Sequence, residues 1–225
     1  IVRLEAVSGT RAAGVPLFVE VSVQNYGTTP ARDVPVLLEE DGHSRPAITI
    51  GRIPPGETVT ERFLAHFPTA GQHRLVARLE SDVLSTDNQR FLVVDLPLDV
   101  PVLIVDGDPE ALDARFIAAA LAPGGPVRTG LQPQIETPRF LAVQPLDSFH
   151  AIYVANVERL DAAAVEALEQ YVAAGGGVAF FLGERSRARF INEELYKGGE
   201  GLFPAPVVRP VELLVDRLEK APDLK

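Results

Sequence analysis

Residues 96–108 read Leu-Pro-Leu-Asp-Val-Pro-Val-Leu-Ile-Val-Asp-Gly-Asp, and the period of the hydrophobic pattern changes across them. Before Leu96 the apolar residues recur at every second position, in short runs divided by turn residues, as in strands buried on one face. From Val102 onward they form unbroken runs of strand length separated by helical spacings, as in parallel strands covered on both faces. Pro97 and Pro101 bracket the joint. Two domains are therefore expected, an all-β one over 1–96 and an α/β one over 97–225.

Working back from the joint, Leu17, Val19, Val21 and Val23 alternate with Phe18, Glu20, Ser22 and Gln24, and the run stops at Asn25-Tyr26-Gly27. Val34, Val36 and Leu38 continue the alternation up to Asp41-Gly42, a hairpin turn, after which Ala47 to Ile50 is a short strand. Pro35 in that run predicts an edge strand or a bulge. Strands over 58–67, 73–80 and 90–94, with Val2 to Val7, bring the number to seven. Seven short strands without a helix fit a two-sheet sandwich of the immunoglobulin or fibronectin kind, held by packing alone because the chain has no cysteine.

Working forward, Val102 to Val105, Ala151 to Ala155 and Val178 to Leu182 are the parallel strands. A helix is expected from Asp108-Pro109-Glu110, with Asp108 as N-cap and Leu112, Phe116, Ala119 and Ala120 on one face. Gln134 to Thr137 reads as a short strand within a stretch, 127–145, that is otherwise loop. The clearest helix spans 161–174. Asp161 caps it, Leu160 and Val165 staple it, Val165, Leu168 and Val172 face the sheet, and Gly175 ends it. Right-handed strand-helix-strand connections make the second domain a doubly wound, flavodoxin-like sheet. Beyond Glu184 the pattern weakens to helices near 190–196 and 211–220, and the expectation is a domain not completed by Lys225.

The 225 residues are 46% hydrophobic and 23% charged, a globular balance, and no apolar run nears the roughly 18 residues a membrane-spanning helix needs. The net charge of −10 has the wrong sign for neutralising phosphates, so nucleic acid is not expected as a partner. The absence of cysteine excludes thiolate metal sites and a cysteine nucleophile. Methionine is absent even at position 1, which predicts a segment of a longer protein that meets the membrane only through regions outside it.

Asn25-Tyr26-Gly27, Val34 to Leu38, Asp41-Gly42, Ile53-Pro54-Pro55-Gly56-Glu57, Gly71-Gln72-His73 and Ser85 to Arg90 with Asp87-Asn88 resemble the CARDB family of bacterial adhesion-related sandwich domains, over about residues 10–96. Pro101 to Asp108, Ala151 to Leu160, and Leu168 to Glu184 with Tyr171-Val172 and Gly175-Gly176-Gly177 resemble class I glutamine-amidotransferase-like domains over 100–203. That second likeness is to divergent versions found in large bacterial membrane-anchored proteins with von Willebrand factor A and BatA-type regions. Together the resemblances imply a non-catalytic interaction or scaffold segment, extracytoplasmic or periplasmic, with protein partners. In active amidotransferases a cysteine stands on the turn after a strand, with a downstream histidine and glutamate. Here that turn is Leu182-Gly183-Glu184-Arg185 and no histidine follows His150, so no enzyme activity and no catalytic residue carries over.

The alternative function is a ligand- or metal-binding sensor, or an enzyme, using the crevice at the carboxyl ends of the parallel strands. Asp106, Asp108, Asn156 and Glu184 project there, an oxygen-rich set suited to a hard cation or a polar ligand. Each also has a plain structural role, Asp108 as helix cap, Asp106 and Asn156 as turn formers, Glu184 as a solvated charge. Asp106-Gly107-Asp108 superficially matches the two-aspartate loop of haloacid-dehalogenase-like enzymes, but Pro109 and the confinement of every lysine to the last 29 residues break that pattern. Gly175-Gly176-Gly177 follows a helix instead of preceding one, which marks a C-cap and not a phosphate loop. His43, His66, His73 and His150 lack metal-ligand spacing. Asp82, Asp87 and Asn88 have ligand chemistry for Ca²⁺, which turn formation explains equally well. Arg185, Arg187 and Arg189 have Glu184, Glu193 and Glu194 close by to pair with. No metal or cofactor is expected.

Overall fold

The computed structural model describes residues 1–7, 9–80 and 87–208. Asp82, Ser85 and the helix expected over 211–220 lie outside the described residues. The chain divides into two compact units, Ile1–Val102 with Ile117–Gln134, and Leu103–Phe116 with residues from Ile135 onward.

Seven strands build the sandwich, β1 (Arg3–Ala6), β2 (Leu17–Gln24), β3 (Ala31–Glu40), β4 (His43–Ile53), β5 (Thr58–Ala65), β6 (Gly71–Leu79) and β7 (Gln89–Leu96). They form antiparallel sheets in the orders β1-β2-β5 and β4-β3-β6-β7. The alternation seen in sequence is the alternation of burial: Leu17, Val19, Val21 and Val23 point inward, and Val36, Leu38, Leu75 and Ala77 meet them from the other sheet. Strands β3 and β4 are joined directly at Asp41-Gly42, both at positive φ, so β4 begins at His43, earlier than the pattern of its exposed first half suggests. Pro35 does not sit on an edge. β3 is central, but its pairing with β6 starts only at Val36, so Pro35 pairs on one side alone, with Thr49 of β4, and the register shift with β4 lies beyond it, between Val36 and Leu38. Asn25 stitches the turn that follows β2. Its side-chain oxygen accepts the Gly27 amide, and its amide nitrogen donates to the carbonyls of Thr29 and Ile53.

The third sheet is parallel, with helices, and has the order β11-β10-β8-β9. Its strands are β8 (Val100–Asp106), β9 (Leu131–Glu136), β10 (Ala151–Ala155) and β11 (Gly177–Phe181). The helices are α1 (Leu112–Leu121), α2 (Phe140–Val143), α3 (Ala162–Ala173) and α4 (Ala188–Phe190), the last continuing into a π-helical turn over Ile191–Tyr196. α3 follows its expected start and stop. Asp161 accepts the Ala164 amide at 2.7 Å, Leu160 and Val165 are both buried, and the amides of Gly175 and Gly176 bond back to Val172 and Tyr171. Its buried face is Ala164, Val165, Leu168 and Tyr171, whereas Val172 turns outward.

α1 departs from expectation twice. It starts at Leu112, after Ala111 at φ +51°, and not at Asp108. The stripe of Leu112, Phe116, Ala119 and Ala120 faces out, with Phe116 75% exposed, while Ala114 is buried and Ile117, Ala118 and Leu121 are half-buried. Two apolar stripes coexist on this alanine-rich helix, and the one that carries Phe116 faces out. The unexpected α2 is a single turn, too short to show a period, and β9 starts three residues before the expected strand.

Candidate functional site

The carboxyl ends of β8, β10 and β11 bring Asp106, Asn156 and the Gly183-Glu184 turn to one end of the parallel sheet. Asp106 is only 3% exposed. One carboxylate oxygen accepts the Asp108 amide and the other the Ala114 amide, each at 2.8 Å. Ala114 is in the first turn of α1, where free amides need an acceptor, and the cap therefore comes from a residue eight positions upstream. Asp108 is not the cap. Its side chain closes its own turn onto the Glu110 amide at 3.1 Å, and its carbonyl accepts the Ala111 amide.

Asn156 adopts φ +49°, a left-handed conformation that asparagine tolerates better than most residues. Its amide donates to Phe181 O, and its side-chain oxygen accepts the Arg185 amide at 2.9 Å. Two glycines let the strand ends close around it. A Cβ on Gly107 would stand 2.3 Å from Asn156 O, and one on Gly183 would stand 2.5 Å from Asn156 Oδ1. The Gly183 amide is bonded in turn to Ser186 Oγ. Glu184 is exposed on the outside of this turn. Of the four residues singled out from sequence, Asp106, Asp108 and Asn156 use their side-chain oxygens on main-chain amides of the surrounding turns, and Glu184 stands apart in solvent.

Beneath the turn lies an apolar cavity of about 20 Å³, room for one water, walled by Val154, Leu160, Phe180, Phe190, Ile191 and Leu195. Above it is an open, charged groove in which Arg187 pairs with Glu158 at 3.1 Å and Arg189 with Glu193 at 3.0 Å. Arg187 thus takes a glutamate from the β10–α3 turn, a pairing across 29 residues that neighbour spacing does not reveal. Among the described residues no group of three or more histidine and carboxylate side chains is placed to hold a metal ion.

Two polar arrangements escaped sequence reasoning. His73 is 7% exposed on β6, with Nδ1 2.7 Å from Asp41 Oδ2, Nε2 2.8 Å from Thr69 O, and its ring stacked on Phe67. Burial alone would lower the His73 pKa, but the carboxylate and the carbonyl at its two nitrogens raise it above the ordinary value. Asp41, which also accepts the Arg74 amide, feels burial pushing its pKa up, and that amide and His73 bring it below the ordinary range. Arg128 is the second. Its Nε donates to Ala13 O, and Nη2 donates to Leu98 O and Asp99 Oδ1. The signal for the first is a hairpin aspartate paired with an inward-facing histidine, and for the second the lone arginine in the Pro/Gly-rich stretch 123–130.

No protein-family model matches the sequence, and no curated protein matches it. Among solved structures the chain is similar to the CARDB domain of a Pyrococcus furiosus protein, solved in complex with di-metal ions, at 17% identity over 43% of this chain and 90% of that one, with a TM-score of 0.39. The solution structure of the same domain gives 17% identity, the same share of this chain, 92% of that one and a TM-score of 0.38. The chain is also similar to red sea bream transglutaminase, at 21% identity over 42% of this chain and 14% of that one, with a TM-score of 0.35.

Proposed function

We propose that the chain is a non-catalytic interaction and scaffold segment of a larger, membrane-anchored bacterial protein, exposed outside the cytoplasm, in which a CARDB-type sandwich precedes a divergent amidotransferase-like domain. One observation carries the non-catalytic part. At the strand ends, where open α/β sheets hold their ligands, Asp106 and Asn156 are spent on the amides of Asp108, Ala114 and Arg185, and the backbone itself fills the space between Gly107, Asn156 and Gly183. A ligand entering there would compete with main-chain bonds that hold the start of α1. The strand order supports a flavodoxin-like sheet. Numbered from β8 it runs 2-1-3-4, the first four places of that topology. The sandwich, for its part, offers apolar side chains to the outside, with Leu37, Phe91 and Val93 exposed on the outer face of the four-stranded sheet.

Thermal unfolding of the chain with and without Mg²⁺, Ca²⁺, Mn²⁺, nucleotides or glutamine tests this reading. The expected result is an unchanged Tm with every addition, since a ligand at 100 times its Kd would add about 2.7 kcal/mol of stability. A rise that Glu184→Ala abolishes while leaving the unliganded Tm unchanged would overturn it in favour of a ligand sensor or enzyme at the strand ends.

A further inference from the structure

A sheet edge presents a row of unpaired amides and carbonyls, and an edge that is not used for pairing is usually blunted by charge, proline, a bulge or shortness. Three edges of the sandwich are blunted in these ways. β1 is short and carries Arg3 and Glu5, β5 carries Glu61 and Arg62, and β4 carries Arg45 and Arg52, with Pro46 inside its register shift against β3. The edge at β7 is not. β7 pairs with β6 alone and exposes Phe91 and Val93, at 57% and 61%. The ladder shows which of its groups are free. The Leu79 amide donates to Asn88 O, so in this antiparallel pair Asn88, Arg90, Leu92 and Val94 are the residues bonded to β6, and the amides and carbonyls of Gln89, Phe91, Val93 and Asp95 point to the open side. The open stretch ends at Pro97, whose carbonyl takes the Ala13 amide.

We propose that β7 pairs antiparallel with β7 of a second copy of this chain, about a two-fold axis through Leu92. The open stretch 89–95 is centred on Leu92. An axis there sets the free main-chain groups of Gln89 and Phe91 against those of the partner's Asp95 and the partner's Val93, and the same pairs recur with the copies exchanged. On the outer face each Phe91 then lies beside the partner's Val93, an aromatic against a β-branched side chain. Charge selects the same axis. The Arg90 guanidinium lies at the open edge, donating to Gln89 O at 3.1 Å, and has no carboxylate partner among the described residues. Asp95 is exposed, and its carboxylate makes no hydrogen bond or ion pair among them. With Gln89 opposite the partner's Asp95, each Arg90 comes beside the partner's Asp95, and two unpaired charges of opposite sign are matched at both ends of the paired strands. An axis through Val93 would set Phe91 opposite the partner's Asp95, and one through Phe91 would set Asp95 opposite the partner's Asp87, and both leave Arg90 unmatched. The pairing names a partner within the interaction reading given above, and its failure would leave that reading to be decided by the ligand dependence of the Tm.

Sedimentation equilibrium of the full chain from micromolar to millimolar concentration is expected to show a reversible dimer. Arg90→Asp sets two acids together at each end, and Asp95→Arg sets two arginines together, so either variant alone should dimerise about tenfold more weakly or worse. An equimolar mixture of the two variants restores an opposite pair at both ends and should regain the native affinity as a heterodimer. Val93→Lys, a change at a side chain already exposed, should abolish the dimer without lowering the Tm measured at low concentration. A chain that stays monomeric at millimolar concentration would overturn the proposal, and so would a dimer that none of the three substitutions weakens. A mixture that associates no more tightly than either variant alone would overturn it as well, because only the axis through Leu92 brings residues 90 and 95 of two copies together.

Discussion

Asp41 and His73 sit 2.7 Å apart, the aspartate in the hairpin turn between β3 and β4 and the histidine buried on β6. Because the second ring nitrogen faces Thr69 O, both nitrogens meet acceptors, and only the doubly protonated imidazolium satisfies both. The raised pKa of His73 means that its contribution to stability is complete below the ordinary value of 6.5 and is lost as pH rises through the folded-state value. The lowered pKa of Asp41 works from the other side, with stability present above its ordinary value of 3.8 and lost as pH falls through the folded-state one. The pair therefore contributes most between those two ordinary values. In Tm measurements from pH 4 to 9, the native chain should fall more steeply above pH 6.5 than His73→Gln, which lacks the titrating group. Parallel curves for the two proteins would show that the clasp is not linked to folding.

Asp106 holds two amides that have no other partner in its turn. Asp106→Ala leaves the first turn of α1 uncapped and a buried amide unsatisfied, and should cost about 2–4 kcal/mol in urea unfolding. Asp106→Asn keeps one acceptor oxygen but turns an NH2 donor toward the other amide, and should recover only a small part of that loss. If Asp106→Ala unfolded at the native urea concentration, the cap assigned to this residue would be wrong.

How far the sequence could be read follows from how local the information was. α3 was legible end to end because its cap, staple and glycine stop lie within sixteen consecutive residues, 160–175. The strands of the sandwich were legible because each buries one face and period two shows it. α1 was misread because Asp108-Pro109 imitates a helix start, while the real cap, Asp106, acts from the end of the preceding strand. β9 alternates weakly and α2 is one turn long, so neither has a period to detect. The four candidate site residues were placed at the right end of the sheet, but their side-chain roles depend on how closely Gly107 and Gly183 approach Asn156, which no spacing reports.

Those two glycines make a paired prediction. A methyl group at Gly107 meets Asn156 O and Val157 Cα, both main chain, whereas one at Gly183 meets only the Asn156 side chain. Main chain cannot yield without breaking the Gly107 N–H bond to Ala155 O, and a side chain can rotate at the loss of its bond to the Arg185 amide. Gly107→Ala should therefore cost about 3 kcal/mol or more, and Gly183→Ala about 1–2 kcal/mol. Chemical denaturation of the two variants decides it, and the reverse order would show that the strand ends are held apart in solution.

Arg128 carries the last prediction. Its guanidinium spans Ala13 O, Leu98 O and Asp99 Oδ1, and its stem lies over Gly14, where a Cβ would stand 3.0 Å from Arg128 Cδ. Close by, the Val100 amide donates to Gly130 O, and Gly130 packs against Ala12 so tightly that a Cβ would come within 2.5 Å. Three segments distant in sequence thus meet at one planar, five-donor group. Two of its acceptors are main-chain carbonyls and the third is a half-exposed carboxylate, so the carbonyl bonds should matter more than the ion pair. Arg128→Ala should lower stability by about 2 kcal/mol. Arg128→Lys, which keeps the charge but not the fork, should recover only part of that loss. Asp99→Asn should cost under about 1 kcal/mol. Urea unfolding of the three variants gives the order directly, and a loss in Asp99→Asn as large as that in Arg128→Ala would mean that charge pairing, and not carbonyl capture, holds residues 13, 98 and 128 together.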